Sequence, residues 1–75
     1  MNDKRRAKAN EVVRSLGAAL ALIEDLLDDE QAALEGIPEN MQERVERCED
    51  TVAALEDAKS SLEEAVSRLE EAAGR

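Results

Sequence analysis

Met41, Val45, Cys48, Val52, Leu55, Lys59, Leu62, Val66, Leu69 and Ala73 follow one another at alternating spacings of four and three residues. That alternation turns one stripe of a helix toward a neighbour along its whole length, provided the two rods coil slightly about each other. Residues 53–73 even repeat one seven-residue phrase three times, as AALEDAK, SSLEEAV and SRLEEAA. A strand would need a period of two, and nothing in this stretch has it. The first half of the chain carries a matching seam: Ala9, Val13, Leu16, Leu20, Ile23, Leu27, Glu30 and Leu34. Two heptad seams in one short chain leave few folds open.

What separates the seams decides between them. The only strong break is Glu35-Gly36-Ile37-Pro38-Glu39-Asn40. Gly36 suits a left-handed residue just past a helix end, with Ile37 folding back on the last turn. Pro38 cannot continue the first helix but is tolerated in the first turn of the next. Asn40 with Glu43 three residues later forms a capping-box pattern, so the second helix is expected to open at Pro38 or near Met41. These signals give helix 1 over about 4–35, a turn over about 36–39 and helix 2 over about 40–73, in one domain. Helices joined by so few residues run antiparallel. Folding at this corner sets Leu34 against Met41, Leu27 against Cys48, Leu20 against Leu55 and Val13 against Leu62, give or take a turn. The expected fold is all-α: an antiparallel two-helix hairpin, coiled-coil-like.

A chain of 75 residues buries only roughly 60% of the surface its unfolded form exposes. It has no Phe, Tyr or Trp to fill a wide core. Helix 1 also carries apolar residues beyond its seam: Val12, Ala19, Leu26 and Ala33, extended by Ala18, Ala21 and Leu22. In helix 2, Ala58, Ala65 and Ala72 run beside the seam. One partner helix covers less than this, so the hairpin is expected to dimerise into a four-helix bundle, antiparallel in preference.

The net charge of −9 lies almost wholly at the hairpin tip. Residues 24–50 hold eleven acids, Glu24, Asp25, Asp28, Asp29, Glu30, Glu35, Glu39, Glu43, Glu46, Glu49 and Asp50, against Arg44 and Arg47. The arms balance, eight against eight. Carboxylates at the end of helix 1 oppose its macrodipole. Three readings stay open: an antiparallel dimer laying each tip beside the partner's Lys4, Arg5, Arg6 and Lys8; a tip that binds a basic partner protein, in the manner of a nucleic-acid mimic; and a solvated face that keeps the protein dispersed.

The chain has no His, which removes the commonest general base, proton shuttle and metal ligand together. Ser15, Ser60, Ser61, Ser67 and Cys48 therefore lack an obvious activating base, and no catalytic or cofactor-binding residue is expected. Cys48 falls on the seam as an ordinary packed thiol. Glu24 with Asp28, and Asp25 with Asp29, lie one helical turn apart, but they belong to no calcium-loop pattern, so no metal site is expected. Lys59 and Glu30 are the polar seam residues; Lys59 is expected to snorkel toward Glu56 or Glu63. The small basic cluster has no aromatic neighbours, and the acidic field repels phosphate, so nucleic acid is not an expected partner. A lone Cys cannot pair internally, which fits a reducing cytoplasm. The apolar run Leu16–Ile23 ends at Glu24, far short of the ~20 residues needed to span a bilayer, and no cleavage site follows it.

The stretch Asp29-Glu30-Gln31 followed by Ile37-Pro38-Glu39-Asn40-Met41-Gln42 and LEEA-type heptads resembles a group of short uncharacterised bacterial and phage-borne proteins. Those carry a D/E-E-Q stretch, an I-P-E-N-hydrophobic-Q turn and repeats in the style of AIDALEEA. The resemblance covers roughly residues 24–73, and its specific part is the two short motifs. Lys59 departs from it, standing where that pattern has an apolar residue, and the start of helix 2 is richer in Arg. The resemblance implies a helical hairpin and a setting on mobile elements; it implies no activity.

Overall fold

The computed structural model describes all 75 residues. Helix α1 runs Asp3–Glu35 and helix α2 runs Gln42–Ala73. The two pack antiparallel as a hairpin, with no strand and no cis peptide bond. The rod measures 58 × 15 × 11 Å, and its radius of gyration is 17.1 Å; a compact chain of this length would have one of about 11 Å.

Local chemistry explains where the helices begin and end. Asn2 caps α1, its side-chain oxygen accepting from the Arg5 amide at 2.8 Å. This satisfies one of the amides that the first turn leaves without a partner. At the other end Gly36 keeps right-handed geometry, φ −84° and ψ −7°, and no residue has positive φ. The expected left-handed closure is therefore absent. Instead the Gly36 amide is shared between the Ala32 and Ala33 carbonyls, and the Ile37 amide donates to Leu34 O at 3.2 Å. These tightened bonds satisfy the last carbonyls without inverting the backbone.

The turn is longer than expected. Pro38 O accepts from the Met41 amide at 2.9 Å, and α2 opens only at Gln42. Met41 is the N-cap and contributes no side-chain bond, so Asn40 and Glu43 form no capping box.

That lengthening displaces the seam. Val45 shares a surface depression with Leu34 and Ile37, where the expected alignment set Met41 against Leu34. Cys48 reaches Glu30, three residues beyond Leu27. Arg6 reaches the carbonyl of Ala73, and Lys59 reaches Glu24. Cys48, Val45 and Ala73 sit three to four residues past the expected pairing, a shift of about one turn and the margin that alignment allowed, and the long side chain of Lys59 reaches further. With two further residues in the turn, Ile37 takes the last seam position and becomes half-buried, while Met41 is left 43% exposed. Met41 is thus no part of the seam. The other thirteen expected seam positions, from Val13, Leu16, Leu20, Ile23, Leu27 and Leu34 to Val45, Cys48, Val52, Leu55, Leu62, Val66 and Leu69, are all buried or half-buried.

Candidate functional site

Only Ala9, Leu27 and Ala73 are buried, three residues of 75, and none of them completely. The molecule therefore presents surfaces rather than a pocket. They divide into an acidic long face, an apolar long face, the tip and the open end.

The acidic face is fixed by a shallow groove of about 570 Å³ lined by Glu24, Leu27, Asp28 and Gln31 from α1 and by Glu56, Lys59, Ser60 and Glu63 from α2. Here Lys59 Nζ lies 3.7 Å from Glu24 Oε1 across the two helices. It does not turn back to Glu56 or Glu63 along its own helix, as the sequence suggested. Reaching across lets the half-buried ammonium place its stem over the seam and its charge at the groove. Exposure of the carboxylate screens the pair, so it is worth no more than about 1 kcal/mol. No three acidic or thiol side chains converge as a metal site would require.

The opposite face follows from helix geometry. Each residue turns by 100°, so in α1 Asp28, one step after buried Leu27, leans to the acidic side. Leu26, one step before Leu27, leans to the other, together with Ala19 and Val12 at heptad spacing and Leu22 further out. In α2, Glu56 and Glu63 stand one step after Leu55 and Leu62 on the acidic side; Ala58 and Ala65 stand three steps after them, on the other. Because the helices are antiparallel, both apolar flanks fall on a single face. On it Leu22 is 65% exposed, Leu26 50% and Val12 46%, with Ala19, Ala65 and Ala72 half-buried at its inner margin.

At the tip, Glu24 alone of the eleven acids is ion-paired; Asp25, Asp28, Asp29, Glu35, Glu39, Glu43 and Glu46 face solvent with no cationic partner within 4.0 Å, and Arg44 and Arg47 pair with none of them. Arg44 instead leans on Met41, Nη1 to Sδ at 3.5 Å. Glu30 turns inward: the Cys48 thiol donates to its carbonyl at 3.5 Å and to Oε2 at 3.6 Å. Partial burial, and after it the hydrogen bond and negative charge of Glu30 with that of Glu49, push the Cys48 thiol above its ordinary value. The thiolate that nucleophilic chemistry needs is thereby disfavoured.

The open end holds a contact the sequence reading did not foresee. Arg6 Nε donates to the Ala73 carbonyl at 2.6 Å, Nη2 to Met1 O at 2.9 Å and Nη1 to Asp3 Oδ1 at 3.1 Å. The last turn of α2 has no basic residue of its own, so α1 supplies the cation that its dipole favours. The signal was faint: two small residues near the open end, Ala9 and Ala73, both buried, and one Arg of the basic cluster long enough to reach across. Lys4, Arg5 and Lys8 stay exposed.

No helix is long and apolar enough to cross a membrane. No family model, no curated protein and no solved structure matches the chain.

Proposed function

We propose that the protein is a non-enzymatic assembly module whose hairpins self-associate into a four-helix bundle. The observation that carries this reading is surface area. The hairpin exposes 5627 Å², whereas a compact monomer of its mass exposes about 4,500 Å². The excess, roughly 1,100 Å², compares with the ~800 Å² per partner that a stable interface buries. The exposed surface includes large apolar side chains of the kind that favours burial, Leu22, Leu26 and Val12 among them. Thermal melts over a hundredfold range of concentration test the reading. An associating hairpin melts at higher temperature as concentration rises; an unchanged midpoint contradicts it. The single cysteine, with no second one in the chain to pair with, supports a reducing compartment such as the cytoplasm.

A second reading is favoured by the unpaired carboxylates of the tip: an acidic inhibitor or adaptor that docks into a basic groove of a partner protein. Ionic strength separates the two. A tip-to-groove complex weakens steeply with salt, while an apolar hairpin–hairpin contact persists.

A further inference from the structure

We infer that the partner seated on the apolar face is a second copy of this chain, running antiparallel, with α1 packed on α1 across a two-fold axis near Leu22. The inference rests on the self-association proposed above and adds which face is used and which way the copies run. Its first support is the separation of the two long faces. One carries Glu24, Asp28, Glu56 and Glu63, which would bring like charges together if two copies met there. The other carries Val12, Ala19, Leu22, Leu26 and Ala33 on α1, beside Ala58, Ala65 and Ala72 on α2.

The second support is that the α1 stripe is complementary to its own reverse. Laid antiparallel about the midpoint between Leu22 and Ile23, Ala19 of one copy meets Leu26 of the other, Val12 meets Ala33, and the two Leu22 side chains flank the axis. Small residues then face large ones, as interdigitating layers require, and the same patch serves both copies, as a two-fold interface demands.

Charge supplies the direction. A parallel pair would place two tips side by side, each with eleven acids and two bases. An antiparallel pair lays each tip against the partner's exposed Lys4, Arg5 and Lys8. Arg6, committed to Ala73, remains with its own hairpin.

The test uses the full-length chain with one spin label. In a Cys48→Ser, Asn40→Cys background the label sits on the exposed turn. By the helical rise of 1.5 Å per residue, an antiparallel dimer separates the two labels by on the order of 45 Å, and a parallel one brings them within about 25 Å. A long distance supports the inference. A short distance in a proven dimer overturns the orientation and leaves self-association standing. Leu22→Glu with Leu26→Glu is expected to weaken dimerisation more than 100-fold, while Gln31→Glu with Ser60→Glu on the acidic face changes it less than threefold. The reverse pattern overturns the choice of face, with circular dichroism showing that each variant keeps its helices. A wild-type chain that stays monomeric at 100 µM overturns the self-association reading itself.

Discussion

Leu27 and Leu22 stand five positions apart on the same helix, and the hairpin treats them differently. Leu27 is 7% exposed against α2, and Leu22 is 65% exposed. Leu27 belongs to the heptad seam, and Leu22 extends the second apolar stripe of Val12, Ala19, Leu26 and Ala33, so the sequence marks both for burial. What differs is direction: α2 covers one flank of α1, and a two-helix fold has nothing to lay over the other. A hairpin satisfies one stripe per helix; α1 has written two. The second stripe on α2 is alanine rather than leucine, which allows close approach of a neighbouring backbone while adding little apolar area of its own.

That contrast can be broken by substitution. The largest expected effect is at the seam: Leu27→Ala should cost about 2–5 kcal/mol, enough to unfold most of the chain, as chemical denaturation would read. Leu22→Ala separates the two regions next. If Leu22 stays in water the change is within about 0.5 kcal/mol; if a second copy covers it, the loss approaches about 2 kcal/mol and grows with protein concentration.

Smaller changes sharpen the picture. Lys59→Leu fills the one cationic gap in the seam and should raise the melting temperature, by about 1 kcal/mol of stability, while broadening the range of assemblies, since a polar seam residue restricts register. A fall in melting temperature would mean that the Lys59–Glu24 pair contributes more than its exposure suggests. Gly17 lies within α1, on the flank of Glu24, and an added Cβ there meets nothing within 4 Å. Gly17→Ala should therefore stabilise by up to about 1 kcal/mol and leave assembly unchanged. Loss of assembly would place a partner on that face instead.

The smallest effect is that of pH on Cys48. Its folded value is raised, so below the ordinary thiol range both folded and unfolded chains hold the proton and stability is unaffected. As pH climbs past the unfolded value, the unfolded chain releases its proton first, and stability declines until the folded thiol ionises too. A Cys48→Ala comparison, melted at pH 8 and pH 10, isolates that slope. A thiol reagent at neutral pH should also modify native Cys48 more slowly than the denatured chain.

Most of the architecture was legible because period and punctuation agree. Two seams at spacing four-three, one Gly–Pro corner and the lack of any strand pattern point to one hairpin, and thirteen seam positions lie where such a hairpin puts them. The register was legible only to within a turn. It depends on how many residues the turn consumes, and backbone bonds from Gly36 to Ala33 and from Met41 to Pro38 decide that without a side-chain signature. The partner of Lys59 follows from the same shift, which brings Glu24 within reach. Arg6 is one of four bases near the start of the sequence, and only the antiparallel packing brings it to the Ala73 carbonyl. The open face was legible as leftover grease, but the fact that the α1 and α2 stripes share a side required the observed antiparallel packing.

The central claim is that one hairpin is half of a core. Sedimentation equilibrium of the wild-type chain from 1 to 100 µM tests it most directly. The expected result is a species of twice the 8.2 kDa chain mass that persists at high salt. A folded, cooperatively melting species of single-chain mass across that whole range would contradict it.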